Sequence, residues 1–340
     1  MTRIASSLLF LFLTLLPAVG LCGEEIVVQA VGDIMLAGRW TPQLRQNGYE
    51  APFRHITAEL ARGDINLANL EAPIATGGTE FSGKKFRFRA EPAVAPALRA
   101  AGINLVTLAN NHSMDFGGSA LAETCGHLDK AGIARIGAGA DVSAARQAVI
   151  MTVKGKKIAF LGYSLTQPVE FFAGVQRPGT APGYEKFVAA DIAKVRPLAD
   201  YVIVSFHWGT EGSGTVRAYQ RTAARKAIDA GADVIIGHHP HVLQGIERYG
   251  RGIIFYSLGN FTFASKSKTA ETGLMVRLRL TDGRREAELL PLDVLHRRVG
   301  FQPAVLSGPP ADKAVAVLSR LSRTMNTEIL KRDQRHVIPF

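Results

Sequence analysis

The stretch that decides the fold covers residues 200–241, which read DYVIVSFHWGTEGSGTVRAYQRTAARKAIDAGADVIIGHHPH. Two apolar runs, Asp200–Phe206 and Asp233–Ile236, flank an Ala-rich segment with helical spacing at Val216–Ala230. Continuous apolar strands joined by a helix are typical of a parallel sheet whose two faces are both covered. Each run ends in a turn that carries histidine, so this unit predicts both an α/β sheet and a polar site at the sheet's edge.

The same alternation extends over most of the chain, where apolar runs predict strands and the segments between them predict helices. The other predicted strands are Ile26–Val31, Asp64–Leu70, Ile103–Ala109, Ala148–Val153, Lys157–Tyr163 and Gly252–Leu258, and the other helices are Phe53–Arg62, Pro92–Ala101, Gly118–Ala131, Tyr184–Val195 and Ala311–Leu330. Gly273–Leu280 and Arg284–Leu290 predict a β-hairpin around an Asp-Gly turn. No linker divides residues 24–340, so we expect one domain.

Length and composition indicate a globular protein and exclude several other classes. The 340 residues are 47% hydrophobic and 20% charged, which excludes wholesale disorder and a many-span membrane protein. Two cysteines are too few for a Cys₄ zinc site or a disulfide-rich scaffold, so any metal ion would be held by His, Asn and carboxylate. The sequence contains no P-loop, nucleophile elbow or nucleic-acid-binding motif.

The first 23 residues predict a secretory signal peptide. Arg3 precedes the apolar run Ile4–Leu16, and Ala18-Val19-Gly20 offers the small residues that a signal peptidase needs. An uncleaved anchor and a lipoprotein attached through Cys22 are the alternatives, although Leu21 is large for lipoprotein processing. We expect an exported protein, periplasmic or at the cell surface, either free or tethered to the membrane. Its net charge of +11 would then favour anionic envelope polymers over nucleic acid as partners.

Polar residues follow six predicted strands at the point where each strand ends. The six ends are Gly32-Asp33, Asn69-Leu70-Glu71, Asn110-Asn111-His112, His207-Trp208-Gly209, Gly237-His238-His239-Pro240-His241 and Gly259-Asn260-Phe261. Ligands of α/β sheets bind at the carboxyl ends of strands, so these ends together predict a catalytic or metal site. Helix capping would explain Asp33 alone, but not all six ends. Imidazole, carboxylate and amide groups suit Zn, Mn, Fe or Ni.

In this order the six motifs resemble those of the CapA family, the poly-γ-glutamate capsule biosynthesis proteins, from about residue 26 to residue 263. Members of that family resemble calcineurin-like metallophosphatases. The resemblance therefore implies a four-layer α/β fold, in which a β-sandwich is flanked by helices on both faces. It also implies a hydrolase site that holds two divalent metal ions, Mn, Fe or Zn.

The resemblance implies a role for each matching residue. The implied metal ligands are Asp33, Glu71, Asn111, His207, His239 and His241. The implied catalytic residues are His112, which would protonate a leaving group or stabilise an anion, together with Asp115 and Glu211. Met35 stands where phosphoesterases carry the histidine of Asp-x-His. One metal position would therefore lack a nitrogen ligand, unless Glu71 or Glu211 replaces it.

Three functions fit these observations. The first is an exported metal-dependent hydrolase in the synthesis or export of poly-γ-glutamate or a related envelope polymer. The second is a non-catalytic protein that binds an anionic polymer, an interpretation favoured by Met35 and the basic charge. The third is a periplasmic phosphodiesterase or nucleotidase with no capsule connection. The expected partners are an anionic polymer or a phosphoester substrate and a capsule-synthesis membrane complex, but no nucleic acid.

The segment Lys84-Lys85-Phe86-Arg87-Phe88-Arg89 alternates cations with aromatic rings. This alternation is typical of a strand that buries Phe86 and Phe88 and leaves its cations in solvent. The alternative interpretation is a cationic lip that binds a polycarboxylate or a phosphate.

Overall fold

The computed structural model describes residues 24–263 and 267–340, so the predicted signal peptide lies outside the described residues. The strands are β1 (Ile26–Met35), β2 (Ile65–Leu70), β3 (Leu105–Thr107), β4 (Ala134–Ile136), β5 (Ala138–Gly139), β6 (Val149–Val153), β7 (Lys156–Ser164), β8 (Gly179–Thr180), β9 (Tyr201–His207), β10 (Val234–His238), β11 (Ile246–Tyr249), β12 (Gly252–Phe255), β13 (Asn260–Phe263), β14 (Thr272–Leu280), β15 (Arg285–Asp293), β16 (Ala304–Val305), β17 (Leu330–Arg332) and β18 (Arg335–Pro339). The α-helices are α1 (Thr41–Asn47), α2 (Thr57–Leu60), α3 (Val94–Ala100), α4 (Gly117–Lys130), α5 (Val142–Ala145), α6 (Glu185–Val195), α7 (Ala218–Asp229), α8 (His296–Val299) and α9 (Gly308–Ser322).

Two large sheets organise these strands. The larger sheet follows the order β17-β18-β15-β14-β1-β2-β3-β4, with β13 added beside β1 and β16 beside β15. The smaller sheet follows the order β11-β12-β10-β9-β7-β6. Strands β1 to β4 run parallel, as do β7, β9, β10 and β12, so their carboxyl ends lie at common edges of the two sheets.

The apolar runs are continuous because each of these strands is buried on both faces. On β9, Ile203 faces the core between the two sheets, whereas Val202 and Val204 face the helices outside. Strand β10 repeats the pattern, with Val234 inside and Ile235 outside. Side chains alternate between the two faces of a strand, so every second residue after Ile203 and Val234 also faces the core between the sheets.

Helices cover the outer faces of both sheets. Helices α1 to α4 pack on the larger sheet through side chains such as Leu60 and Leu98. Helices α6 and α7 pack on the smaller sheet through Ile192 and Ala224. The layers therefore run helix, sheet, sheet, helix, and the expected four-layer α/β fold is confirmed.

Most predicted elements are present, but the end of the chain and one loop differ. The final helix was expected to reach Leu330, yet α9 ends at Ser322, and residues 330–339 form β17 and β18 instead. These strands continue the larger sheet from β15, a pairing with a distant segment that local pattern does not reveal. The prediction of a strand at Lys84–Arg89 is wrong, since this segment is a loop. No helix within residues 24–263 and 267–340 has both the length and the apolar character needed to cross a membrane.

Glycine at the end of β10 permits a close approach that a larger residue would prevent. A Cβ atom at Gly237 would lie 2.1 Å from the carbonyl oxygen of Tyr256 and 2.7 Å from Nε1 of Trp208. The Trp208 indole donates to that same carbonyl at 2.9 Å. Gly237 therefore lets the strand ends converge immediately before the turn that carries three histidines.

We expect Gly237→Ala to lower the free energy of unfolding by about 1–3 kcal/mol, because the backbone of Tyr256 must move away from the new methyl group. Urea unfolding of both proteins measures the loss. The matched control is Gly126→Ala on α4, where a new Cβ meets nothing within 4 Å. This control should be neutral or stabilising by up to about 1 kcal/mol, because alanine favours a helix over glycine. Equal stability of Gly237→Ala and wild type would contradict the prediction.

Candidate metal centre

Strand register explains how the polar strand ends come together. Ile203 on β9 and Val234 on β10 face the core between the sheets. By the period of two, His207 and His238 follow on the same inner face. The two histidines also pair directly across the parallel strands. On the larger sheet, Leu67 of β2 lies in this core, which places Asn69 on the inner face just before Glu71.

Asp33 lies at the centre of the site with no exposed surface. Asn69 donates to its Oδ1 at 2.8 Å, and Nδ1 of His241 lies 3.0 Å from its Oδ2. Nδ1 of His238 lies 3.2 Å from Oδ1. Burial works to raise the pKa of Asp33, but the contacts from His238 and His241 outweigh it and hold the pKa well below its usual range. Asp33 is therefore an ionised, fully buried carboxylate.

Glu71 is a second carboxylate without exposed surface beside Asp33. Asn69 donates to its Oε2 at 3.1 Å, whereas Oε1 has no hydrogen-bond partner within residues 24–263 and 267–340. Nε2 of His207 lies 3.6 Å from Oε1, and Nε2 of His241 lies 3.8 Å from it. Burial and the negative charge of Asp33 raise the pKa of Glu71 well above its usual range. A cation placed between the two carboxylates would reverse this effect.

The histidine turn has an uncommon backbone. His239 has φ of 94° and His241 has φ of 58°, values in the left-handed region that L-residues with large side chains rarely adopt. Pro240 separates them, and their rings lie with centroids 6.0 Å apart. Strained backbone is found at functional sites when the surrounding structure holds it in place. Here both imidazoles have a ligand atom within 4.8 Å of a carboxylate oxygen of the buried Glu71.

Three sets of side chains bring ligand atoms within 4.8 Å of one another. The sets are Glu71, His207 and His239; Asp33, Glu71 and His241; and Glu211, His239 and His241. Asn111 joins the first set through its Oδ1, which lies 2.8 Å from Nε2 of His207. The structure thus gathers all six residues predicted as metal ligands.

A divalent cation fits these side chains. Buried atoms at the site without hydrogen-bond partners include Oε1 of Glu71, Nε2 of His238 and Nδ1 of His239. Buried polar atoms are normally satisfied, and a missing ion is one accepted explanation for exceptions. Burial lowers the pKa of His239 to about 3, so this ring is neutral and able to ligate a metal.

The predicted catalytic residues divide into two places. His112 and Asp115 form a pair, with Nδ1 of His112 2.6 Å from Oδ2 of Asp115. Asp115 has no exposed surface, and burial lowers the pKa of His112 against the opposing effect of Asp115. Glu211 is exposed and stands apart from this pair, beside His239 and His241. Its position is that of a possible metal ligand.

Met35 takes no part in the centre. Its side chain is 4% exposed and lies in the apolar core between the larger sheet and its helices. A thioether in that position offers only a weak, soft ligand. The side chains beside Asp33 are instead His241 and Asn260. Nδ1 of His241 lies 3.0 Å from Oδ2 of Asp33 and 3.0 Å from Oδ1 of Asn260.

Three further residues of the centre, Asn69, His238 and Asn260, were seen in the sequence only as strand ends, without a role. Asn69 contacts Asp33, Glu71 and, at 3.4 Å, Nδ1 of His207. The signal that could have found it is the period of two, which places Asn69 on the face of Glu71. The same rule places His238 on the face of His207.

Comparison with known proteins agrees with the motifs and the fold. The model of the family described as "Bacterial capsule synthesis protein PGA_cap" matches residues 27–265. The capsule biosynthesis protein CapA of Bacillus anthracis is 30% identical over 279 residues, which are 80% of this chain and 68% of that protein. The PGA biosynthesis protein CapA of Bacillus subtilis is 32% identical over 268 residues, 78% of this chain and 70% of that protein.

Among solved structures, a Staphylococcus aureus protein provisionally named a 5′-nucleotidase superposes with a TM-score of 0.50 at 13% identity. The match covers 87% of this chain and 58% of that protein. At this identity the likeness concerns the fold alone, and it agrees with the four layers described above.

The neutral, buried His239 predicts a pH dependence of stability in protein stripped of metal. Its pKa of about 3 lies below the value near 6.5 of an unfolded histidine, so only the unfolded state binds this proton between those pH values. Stability from this group is therefore present above pH 6.5 and lost as the pH falls toward 3. We expect a contribution of about 1.4 kcal/mol per pH unit inside this window.

Urea unfolding of chelated protein at a series of pH values measures this slope. His239→Gln should show a shallower slope than wild type, while His55→Gln, at an exposed position, should parallel wild type. Identical slopes for His239→Gln and wild type would show that His239 is not buried in its neutral form.

Proposed function

This chain belongs to the bacterial capsule synthesis protein family PGA_cap. We propose that it is an exported metal-dependent hydrolase, and that it serves the synthesis or export of poly-γ-glutamate or a related anionic envelope polymer. The observation that carries the hydrolase proposal is the convergence of two ligand sets on the buried carboxylates Asp33 and Glu71, beside a third set around the exposed Glu211. A capsule-synthesis complex at the membrane is the partner that this role implies. We retain residues 24–340 as one domain in this proposal.

The proposed ligands divide between two neighbouring divalent ions, Mn, Fe or Zn. Glu71, Asn111, His207 and His239 would hold one ion. Asp33, Glu71 and His241 would hold the other, with Glu211 as the nearby carboxylate that compensates for Met35. When bound, such ions lower the pKa of water and polarise the bond to be hydrolysed.

The chain's own residues supply the remaining parts of the reaction. Asp115 holds His112 through Nδ1, which fixes the orientation of the ring and leaves Nε2 free. Nε2 would take up a proton from solvent and then pass it to the leaving group. The amide of Asn69 contacts Asp33, Glu71 and His207, and so holds these three side chains in place before the substrate arrives. Metal ions held by these carboxylates and imidazoles would polarise the reacting bond of a phosphoester or of an amide. The site chemistry fits both.

A second function is favoured by one observation. Met35 is buried in the core, so the second ion has fewer protein ligands than an Asp-x-His motif provides. A protein with one tightly bound ion could hold an anionic polymer without cleaving it. A binding protein and a hydrolase differ in whether the substrate is turned over, so metal content and hydrolysis of a phosphodiester together distinguish them.

The first prediction concerns metal content. We expect freshly purified wild type to contain Mn, Fe or Zn, and Asp33→Ala and His207→Ala to lose most of it, because each removes a ligand from a buried centre. Elemental analysis by mass spectrometry measures the ions per chain. His55→Ala removes an exposed histidine and should keep the wild-type content. Wild type without any bound metal would contradict the metal-centre proposal.

The second prediction concerns turnover of a generic phosphodiester, bis(p-nitrophenyl) phosphate. We expect wild type to hydrolyse it, and His112→Ala to lower kcat by about 10²–10⁴-fold while keeping its metal, because a proton donor is lost and no predicted ligand is removed. Release of p-nitrophenol with and without chelator is the measurement. Activity that persists in chelator would exclude the metal mechanism, and metal-loaded protein without turnover would favour the binding function.

A further inference from the structure

The loop at residues 79–89 packs against residues 111–115, beside the proposed metal centre, instead of forming a strand. Phe81 donates its backbone N–H to the carbonyl of Asp115 at 2.8 Å, and Phe88 donates its own to Oδ2 of Asp115 at 2.8 Å. Phe86, expected to be buried, is 63% exposed. Wrapping the loop around Asp115 turns the side chain of Lys84 inward.

Lys84 is the cation that this loop delivers to the centre. Its side chain is only 14% exposed, and its Nζ lies 2.7 Å from Oδ1 of Asp115. The ammonium also donates to the carbonyl oxygen of Asn111. It lies 5.2 Å from the centre of the Phe171 ring, which packs against one side. The position of the charge is therefore fixed by two separate segments of chain, residues 111–115 and Phe171.

The hydrogen-bond partners of Lys84 leave one N–H available. Nδ1 of His112 lies 3.0 Å from Nζ of Lys84 but 2.6 Å from Oδ2 of Asp115. An ionised carboxylate can only accept, so the shorter contact assigns the proton to Nδ1, which then cannot accept from Lys84. An ammonium has three N–H groups, and Asp115 and Asn111 accept two. The third has no acceptor among the contacts of Lys84 in the described chain.

Other charges of the centre act on Lys84. Burial lowers its pKa, while Asp115, Glu71 and Glu211 act in the opposite direction through their negative charges. The ammonium is therefore within electrostatic reach of the carboxylates proposed to hold metal. Asp115 does not fully neutralise the positive charge of Lys84, because its carboxylate also accepts hydrogen bonds from His112 and from the backbone N–H of Phe88.

We propose that Lys84 is a substrate-binding residue of this centre, whose third N–H donates to an anionic oxygen of the substrate, either a phosphate or a carboxylate oxygen. The proposal rests on the proposed function and names the class of substrate that the same site selects. Lysine binds such oxygens as a point charge, and a side chain already held by Asp115 loses little conformational freedom on binding.

The other cations of the loop do not share this role. Lys85 is exposed and lies over the ring of Phe86, at 5.4 Å from its centre. Arg87 pairs with Glu80 at 2.8 Å, and Arg89 donates to the carbonyl of Gly77 at 3.1 Å. Of the cations in the lip considered from the sequence, only Lys84 therefore has this role. Lys85 provides a matched control, because it has the same side chain on the same loop but is exposed.

The test is the affinity of full-length protein for two probes, inorganic phosphate and poly-γ-glutamate, measured by isothermal titration calorimetry. We expect Lys84→Met to weaken binding of at least one probe by about tenfold or more, the loss typical of a charge-assisted hydrogen bond. Lys84→Arg should keep most of the affinity, and Lys85→Met should remain within about twofold of wild type. Asp115 keeps two donors in Lys84→Met, and melting temperature and metal content check that the fold and centre are intact.

The two probes distinguish the sources of the anionic oxygen. Loss confined to phosphate would assign a phosphoester substrate, and loss confined to poly-γ-glutamate would assign a carboxylate. Unchanged binding of both probes in Lys84→Met would overturn the proposal, as would an equal loss in Lys85→Met or a wild type that binds neither probe. The metal content of wild type is a separate measurement, so a failure of the metal centre can be told apart from a failure of Lys84.

Discussion

Two carboxylates, Asp33 and Glu71, lie side by side without exposed surface, and the rest of the site is arranged to tolerate them. Removing one carboxylate from water costs several kcal/mol unless it is paired. Asp33 is paired by amide and imidazole groups, whereas Oε1 of Glu71 has no hydrogen-bond partner among the described residues. The opposite shifts of their pKa values express this imbalance, which a divalent cation would relieve.

The β-sandwich makes that arrangement possible. Its two sheets present the carboxyl ends of parallel strands to each other, and the period of two directs His207 and Asn69 inward. The left-handed backbone at His239 and His241 then brings in side chains that no regular strand could aim at the same point. A rigid frame of buried strands can hold such strained residues, which a surface loop would release.

Local pattern in the sequence was sufficient for an α/β protein with covered sheets and for polar residues at the strand ends, because both are properties of short segments. The four-layer fold and the six proposed ligands were implied by the resemblance to a family. Asn69 could have been added, since it stands two residues before Glu71 on a buried strand. Lys84 could not be placed, because its position depends on contacts with Asp115, 31 residues further along the chain. For the same reason the sequence did not predict β17 and β18, which replace the end of the last predicted helix. Strand β18 pairs with the distant strand β15.

The ligand groups come from distant parts of the chain, and Asp33 and His241 are separated by 208 positions. Contacts of such separation form late, because the intervening chain must close first. No fragment that lacks either end of this span contains the centre, so a metal ion would be bound only after folding. The ion bound there would then be set by what is available in the compartment where folding is completed, rather than by the order of intrinsic affinities alone.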